Sequence, residues 1–459
     1  MKARLLFVVC SLIAIVLMLS APSGASGQSV MVTQFSAQER GLGAEYQLST
    51  PTNPETDRYK PASAYNTANH QTLVVWHRNG GGSYFIEGRL ISASGNPLGS
   101  SPTIFVSGQT PVYQPAVAYN AADNQYLVVW MRNTKLDGKS YAVWGKILSA
   151  NLTEIHPEFE IFSPPANFSC WSPRAAWNQF PTRDEYMVVW NAYDISSFPS
   201  MTPDDISQET VDAFGNLIGH ILVIGNSPGK LIYPDNIDLV FANSDNYGKY
   251  MWVWHQRNPS SLNSEIWGAN IDADLGGVLS TLPPFRIDNT PSEKAYPRIA
   301  TNGANDFMIV WQERSPVPPN DWDIHGQEMN QVGAFSGNVH LVAGQGATDE
   351  TNPFIAAWPG STHRYIVGYE RQSATGQDIW LAYYNNGANT LSYSNFIFWL
   401  DDFPAAAFGF WTNSYPTGVV AGPSLQFAYQ GISTTPGDHP QIYSRTWTPF
   451  RVFLPALER

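Results

Sequence analysis

One set of motifs occurs seven times along this chain, and that repetition limits what it can fold into more than any other feature. Pro61-Ala-Ser-Ala-Tyr65-Asn66 leads to Leu73-Val-Val-Trp76, Pro115-Ala-Val-Ala-Tyr119-Asn120 to Tyr126-Leu-Val-Val-Trp130, and Pro173-Arg-Ala-Ala-Trp177-Asn178 to Tyr186-Met-Val-Val-Trp190. The pattern continues more loosely from Pro234 to Trp254, Pro297 to Trp311, Pro353 to Tyr369 and Pro416 to Tyr429. A third element follows, as in Ile86-Glu-Gly88, Val143-Trp-Gly145, Ile266-Trp-Gly268 and Ile324-His-Gly326, and a fourth apolar stretch such as Ile104-Phe-Val106 often closes the unit. Self-similarity at this period marks an architecture built by stacking one supersecondary unit.

The starting prolines lie 54 to 63 residues apart, a length that four antiparallel strands and their turns fill. The second element is apolar at consecutive positions, so both of its faces must be covered. Radially packed blades cover both faces of their inner strands, whereas a sandwich leaves one face wet and forces alternation. The 36 glycines and 34 prolines, with only 14% charged residues, suit short strands joined by turns and not a helical protein. The sequence therefore predicts an all-β fold: a seven-bladed β-propeller of four-stranded antiparallel blades over residues 28–450, with blades starting near 61, 115, 173, 234, 297, 353 and 416. The seventh unit offers only three strands, while Tyr46-Gln-Leu48-Ser49 resembles the ends of the other units. That N-terminal segment is expected to complete the last blade and remove the open sheet edges.

These motifs resemble those of secreted bacterial propellers built from repeats of the form Pro-x-x-x-Tyr-Asn, Tyr-Leu-Val-Val-Trp and Ile-x-Gly-x. The resemblance spans about residues 32–447 and implies a fold rather than one activity, since propellers host enzymes, lectins and scaffolds alike.

Residues 1–27 have the layout of a signal peptide: Lys2 and Arg4, an apolar run over 5–19, then small residues that admit cleavage after Ala25 or Gly27. The run is shorter than the roughly 20 residues of a spanning helix, so no membrane span is expected in the mature form. The chain is expected to be secreted, as a monomer, and to act outside the cell or at its surface. Cys170 is the one cysteine outside the leader, which precludes an internal disulfide. The net charge of −13 opposes binding to nucleic acid. Residues 451–459 are read as a C-terminal tail.

A basic residue recurs just past the second element, at Arg78, Arg132, Arg257, Arg314 and Arg371, and acidic residues recur before the third, at Asp205, Glu265, Asp323 and Asp378. Cross-strand ion pairs explain this simply, and the sharper reading is a ring of arginines able to hold an anionic group bidentately. A second candidate site is the aromatic and acidic segment Asp401, Asp402, Phe403, Phe408, Phe410 and Trp411, because aromatic faces beside carboxylates grip sugars. No catalytic residue or metal ligand is assigned, no cofactor is implied, and calcium lacks the Asp-x-Asp-x-Asp-Gly type of loop that would support it. These features point to a non-catalytic binding or scaffold propeller that recognises a glycan or protein partner. The alternative is a carbohydrate-active hydrolase or lyase with carboxylates at the central mouth.

Overall fold

The computed structural model describes residues 43–49, 56–180, 183–196, 202–219, 223–225, 231–232, 237–244, 247–257, 263–272, 280–281, 284–302, 306–330, 333–344, 348–358, 364–373, 376–385, 398–399, 411–433 and 439–448. Residues 1–27, residues 451–459 and residues 401–410 lie outside the described residues.

The chain folds into seven four-stranded antiparallel blades. Blade 1 runs through Asp57–Asn66, Gln71–Gly80, Ser83–Ser92 and Thr103–Gly108, and blade 2 through Val112–Asn120, Gln125–Arg132, Ala142–Ser149 and Glu154–Phe162. The next three blades have their first strands at Phe168–Trp177, Asp238–Ser244 and Lys294–Thr301. Blade 6 starts at Glu350–Ala357 and takes Phe398–Trp399 as its outer strand, and blade 7 starts at Trp411–Ala421. Tyr46–Gln47 pairs with Gln441–Trp447, Tyr46 opposite Ser444 and Gln47 opposite Tyr443, so the N-terminal strand completes blade 7 as the unequal ends of the sequence predict.

The second strands form the walls of the core. Leu73, Val75, Trp76, Leu127 to Trp130, Met187 to Trp190 and Met308 to Trp311 are all fully buried, which is why these runs carry no polar alternation. Cys170 is buried in the same way between blades. The third-strand glycines leave room for the outer strand: a Cβ on Gly88 would lie 2.7 Å from the Phe105 ring, and one on Gly145 2.9 Å from Ile161.

The repeated Asn caps its own turn, since Asn66 Oδ1 accepts from Asn69 N, and Asn120 Oδ1 accepts from Ala122 N and Asp123 N. The same side chains also reach the next blade: Asn66 Nδ2 donates to Asn124 Oδ1 at 2.8 Å and Asn120 Nδ2 to Asp184 Oδ1 at 2.6 Å. Gln71, Gln125 and Gln426 repeat a second link, each donating its amide to a backbone carbonyl of the following blade: Ala150, Ala213 and Ser92. The ring is thus stapled at each of these joints by polar bonds as well as by apolar packing.

Candidate functional site

The first strands of all seven blades surround one axial channel, and the repeat proline shapes its rim. In six blades the residue before that proline adopts a left-handed backbone: Lys60, Gln114, Ser172, Tyr296, Asn352 and Tyr415 have φ of 49°, 51°, 53°, 50°, 48° and 51°. At the same six places the pairing with the second strand slips, from Tyr59 to Ala62 in blade 1 through Ser414 to Thr417 in blade 7. The cause is local. Proline supplies no N–H to the ladder, so the pairing breaks there, and at each break the chain makes a bulge with one residue in the left-handed region. A ring of identical kinks then aims side chains that differ from blade to blade at one mouth. Blade 4 departs from this pattern: Asp238 lies opposite Val253 as Arg174 lies opposite Val189, which puts Ile237, three residues beyond Pro234, in the proline's place.

Beside this rim the channel holds a cavity of about 280 Å³, lined among others by Lys60, Gln114, Tyr296, Asn352 and Tyr415. The residue after the proline forms the next ring inward: Ala62, Ala116, Arg174, Asp238, Arg298, Phe354 and Thr417, all at the same register against their second strands. Arg174 and Arg298 each donate Nη1 to the carbonyl of the proline just before them, at 3.0 Å. Asp238, between them, accepts the Ile299 N–H at 3.0 Å and lies 3.9 Å from Arg174 Nε. Lys60 lies over the Tyr415 ring, 5.5 Å from its centre. Further along the axis the lining turns apolar around a cavity of about 480 Å³ that ends near Tyr65, Tyr119, Trp177 and Phe241.

A second recess of about 470 Å³ adjoins the rim between Tyr296, Gln312, Asn352, Glu370, Gln377 and Tyr415. Glu370 is 1% exposed. Its carboxylate accepts from Asn352 Nδ2 at 2.7 Å, Tyr415 N at 2.6 Å, Thr351 Oγ1 at 3.4 Å and the Gln377 amide. Burial pushes it up to about 7 despite those four donors, which pull the other way. Two further acids titrate high nearby: burial moves Glu350 to about 7 and Asp323 to about 6.

The arginines singled out in the sequence lie at or near the ends of the second strands, Arg78 opposite Arg58, Arg132 opposite Val112 and Arg371 opposite Glu350 of their first strands, and most are bound to carboxylates of the propeller itself. Arg78 meets Glu87 at 2.6 Å, Arg132 meets Glu158 at 2.6 Å, Arg314 meets Glu293 at 3.4 Å and Arg371 meets Glu350 at 3.1 Å. Arg371 faces Asp378 in register, whereas Arg257 faces Ser264. Three of the guanidinium groups also stack on aromatic rings: Phe85 under Arg78, Trp144 under Arg132 and Trp380 under Arg371. In the aromatic segment, Trp411 begins the first strand of blade 7, and Asp401, Asp402, Phe403, Phe408 and Phe410 lie outside the described residues. His325 occupies the third-strand slot held by Trp144 and Trp267 in other blades, opposite Trp311. Among the described residues no group of three or more His, Cys, Asp or Glu side chains is placed to hold a metal ion. None of their helices is long and apolar enough to cross a membrane.

The axial residues fill positions that the repeat leaves variable, so no motif marks them. The positions on either side of the repeated proline were the available signal: Ala follows it in blades 1 and 2, and Arg in blades 3 and 5.

No family model and no curated protein matches the chain. Solved structures similar to it include a Dyadobacter fermentans protein of unknown function, at 11% identity, covering 87% of this chain and 100% of that one with a TM-score of 0.49. An α-L-arabinanase from Penicillium chrysogenum, solved with arabinobiose, is 10% identical over 88% of this chain and 98% of its own, TM-score 0.44. A mutant of the NanB sialidase from Streptococcus pneumoniae is 9% identical over 93% and 73%, TM-score 0.45. At such identities and scores nothing about activity passes from them to this chain.

Proposed function

We propose that this chain is an exported binding propeller that takes a glycan at the bulged mouth of its axial channel, without turning it over. The observation that carries this reading is the ring of six left-handed bulges, which a rigid closed fold maintains while the side chains they present vary. A non-glycine residue held at positive φ is costly, and such positions persist where the surrounding structure and a task require them. The rim supplies what sugar recognition uses: the rings of Tyr296 and Tyr415 for apolar sugar faces, and Gln114, Asn352 and Lys60 for hydroxyl groups. The charged and apolar start of the sequence supports export. A glycan array probed with the mature chain tests the reading. Binding lost in Tyr415→Ala and Asn352→Ala, in variants that still melt in one cooperative transition above the assay temperature, is the expected result, and no bound glycan sinks it.

A second reading rests on Glu370, a carboxyl group near neutral at the edge of a polar recess, which is the condition a general acid of glycoside cleavage needs. A polysaccharide turnover screen separates the two. Turnover abolished in Glu370→Gln replaces the binding reading with a hydrolase or lyase.

A further inference from the structure

We propose that the axial cavity is a carboxylate site, in which Arg298, supported by Arg174 and Lys60, receives the acid group of a uronate-bearing glycan. This deepens the glycan reading above and rests on it.

Charge is the first argument. The chain carries 38 acidic residues against 25 basic ones, so a cavity lined at random would have an acidic excess. This cavity has the reverse: Lys60, Arg174 and Arg298 against one carboxylate, Asp238. Low-dielectric walls focus such a field, so an anion entering the cavity meets a favourable potential.

Bonding is the second argument. Asp238 offsets one of the three cations: one oxygen pairs with Arg174, whose Nε lies 3.9 Å away, and the other accepts the Ile299 N–H, so no bond from it reaches Arg298 and the lining keeps a positive excess. Arg298 makes no ion pair among the described residues, and its side chain has one hydrogen bond, from Nη1 to the Pro297 carbonyl. A guanidinium has five N–H donors in a planar fork, so this tether fixes the fork and leaves a donor edge for a ligand. A carboxylate matches that edge bidentately. Arg174 has the same tether to Pro173 two blades away. The bulged backbone thus holds two guanidinium groups at equivalent points of the ring, on either side of Asp238.

Space is the third argument. The corresponding positions in blades 1, 2 and 7 are Ala62, Ala116 and Thr417, small side chains that keep the cavity open opposite the arginines. Its volume of about 280 Å³ lies just below the range of small-molecule sites, about 300 Å³ and upward, which suits one acidic sugar residue better than a buried chain.

Isothermal titration of the full exported chain tests this with a panel of galacturonate, glucuronate and mannuronate oligosaccharides, their neutral methyl esters, and a short peptide with a free C-terminal carboxylate. The expected result is binding of at least one uronate, tenfold or more weaker binding of its ester, and a further tenfold loss in Arg298→Gln that Arg298→Lys partly restores. Melting temperatures of the variants check that the fold persists. Esters that bind as well as the acids overturn the carboxylate site and leave the glycan reading standing. Binding of the peptide alone, lost in Arg298→Gln, upholds the carboxylate site and overturns the uronate as its source. Uronate binding unchanged in both Arg298→Gln and Arg174→Gln overturns the assignment of these residues.

Discussion

Leu48 donates its backbone N–H to the carbonyl of Ile442 at 2.8 Å, and its fully buried side chain packs with Val74, Trp76 and Ile91 of blade 1 and with Ala428 and Ile442 of blade 7. One residue near the start of the chain therefore joins the first blade to the last. Gly43 N adds a bond to Thr446 O, and Arg89 Nη1 donates to the Leu48 carbonyl. Truncating Leu48 leaves a cavity at the seam of the ring, and Leu48→Ala is expected to cost about 2–5 kcal/mol. Removing residues 43–49 should lower the melting temperature further, because it also re-opens the edge of the third strand of blade 7. Calorimetry of the two variants checks this: a truncated chain that melts like the intact one means that the strand does not close the ring.

The motif glycines of the third strand should differ in tolerance according to what a new Cβ meets. At Gly88 it would lie 2.8 Å from the Val74 carbonyl oxygen and 2.7 Å from the Phe105 ring, and neither backbone nor a packed ring yields easily. At Gly268 the closest atom is the Met251 terminal methyl at 2.6 Å, the far end of a flexible side chain. Gly88→Ala is therefore expected to destabilise by about 1–3 kcal/mol, as overpacking does, and Gly268→Ala by clearly less. Urea unfolding of the two variants decides it, and equal losses would count against the packing account of the motif.

The rim bulges predict an unusual ranking at Lys60. Its φ of 49° is tolerated by asparagine and opposed by a β-branched side chain. Lys60→Asn and Lys60→Val remove the same ammonium group from over Tyr415, so the difference between them isolates the backbone. Lys60→Val is expected to be the less stable by about 1–2 kcal/mol. Denaturant midpoints that coincide would show that the bulge relaxes when its occupant changes.

The architecture was legible in the sequence because burial on both faces of a strand leaves a consecutive apolar run, and Leu73-Val-Val-Trp76 and its counterparts carry that signature. The seam was legible too, since a missing fourth strand in the last unit and a spare strand before the first can be counted. The axial site was not. Its charged members follow the proline at a position where other blades have Ala, and which side of a first strand faces the axis depends on a bulge that shifts the register by a residue. Blade 4 shows the same limit, since Ile237 rather than Pro234 stands at the structural equivalent of the repeat proline. The recurrent arginines were visible, and Arg78 with Glu87 is a cross-strand pair of the kind the hairpin spacing suggests, but the partners Glu158 and Glu293 lie outside the hairpins of Arg132 and Arg314, where no local spacing identifies them.

His77 and His255, at one repeat position after the strand-two tryptophan, give the fold a dependence on acid that can be isolated. Burial lowers each to about 3, with Lys60 and Arg257 respectively adding to the effect, and His77 Nδ1 has no hydrogen-bond partner. Both rings are therefore neutral in the folded chain at pH values where the unfolded chain, with a histidine pKa of about 6.5, has taken up a proton. The stability they permit is fully present above about pH 6.5 and is lost as pH falls toward 3, at a slope approaching about 1.4 kcal/mol per pH unit for each ring. Glu350 and Glu370 act in the opposite sense: their values are raised, so their contribution is present below the ordinary carboxyl range and is lost as pH rises to about 7. Comparing the wild type with His77→Phe cancels the glutamate contribution. The phenyl ring keeps the stack on Tyr59 and the edge contact with Tyr113, which lie 5.4 Å and 5.3 Å from the imidazole centre. The stability difference between variant and wild type should grow in the variant's favour as pH falls from 6.5 to 4. A difference that stays constant over that range would show that His77 takes up its proton in the folded chain.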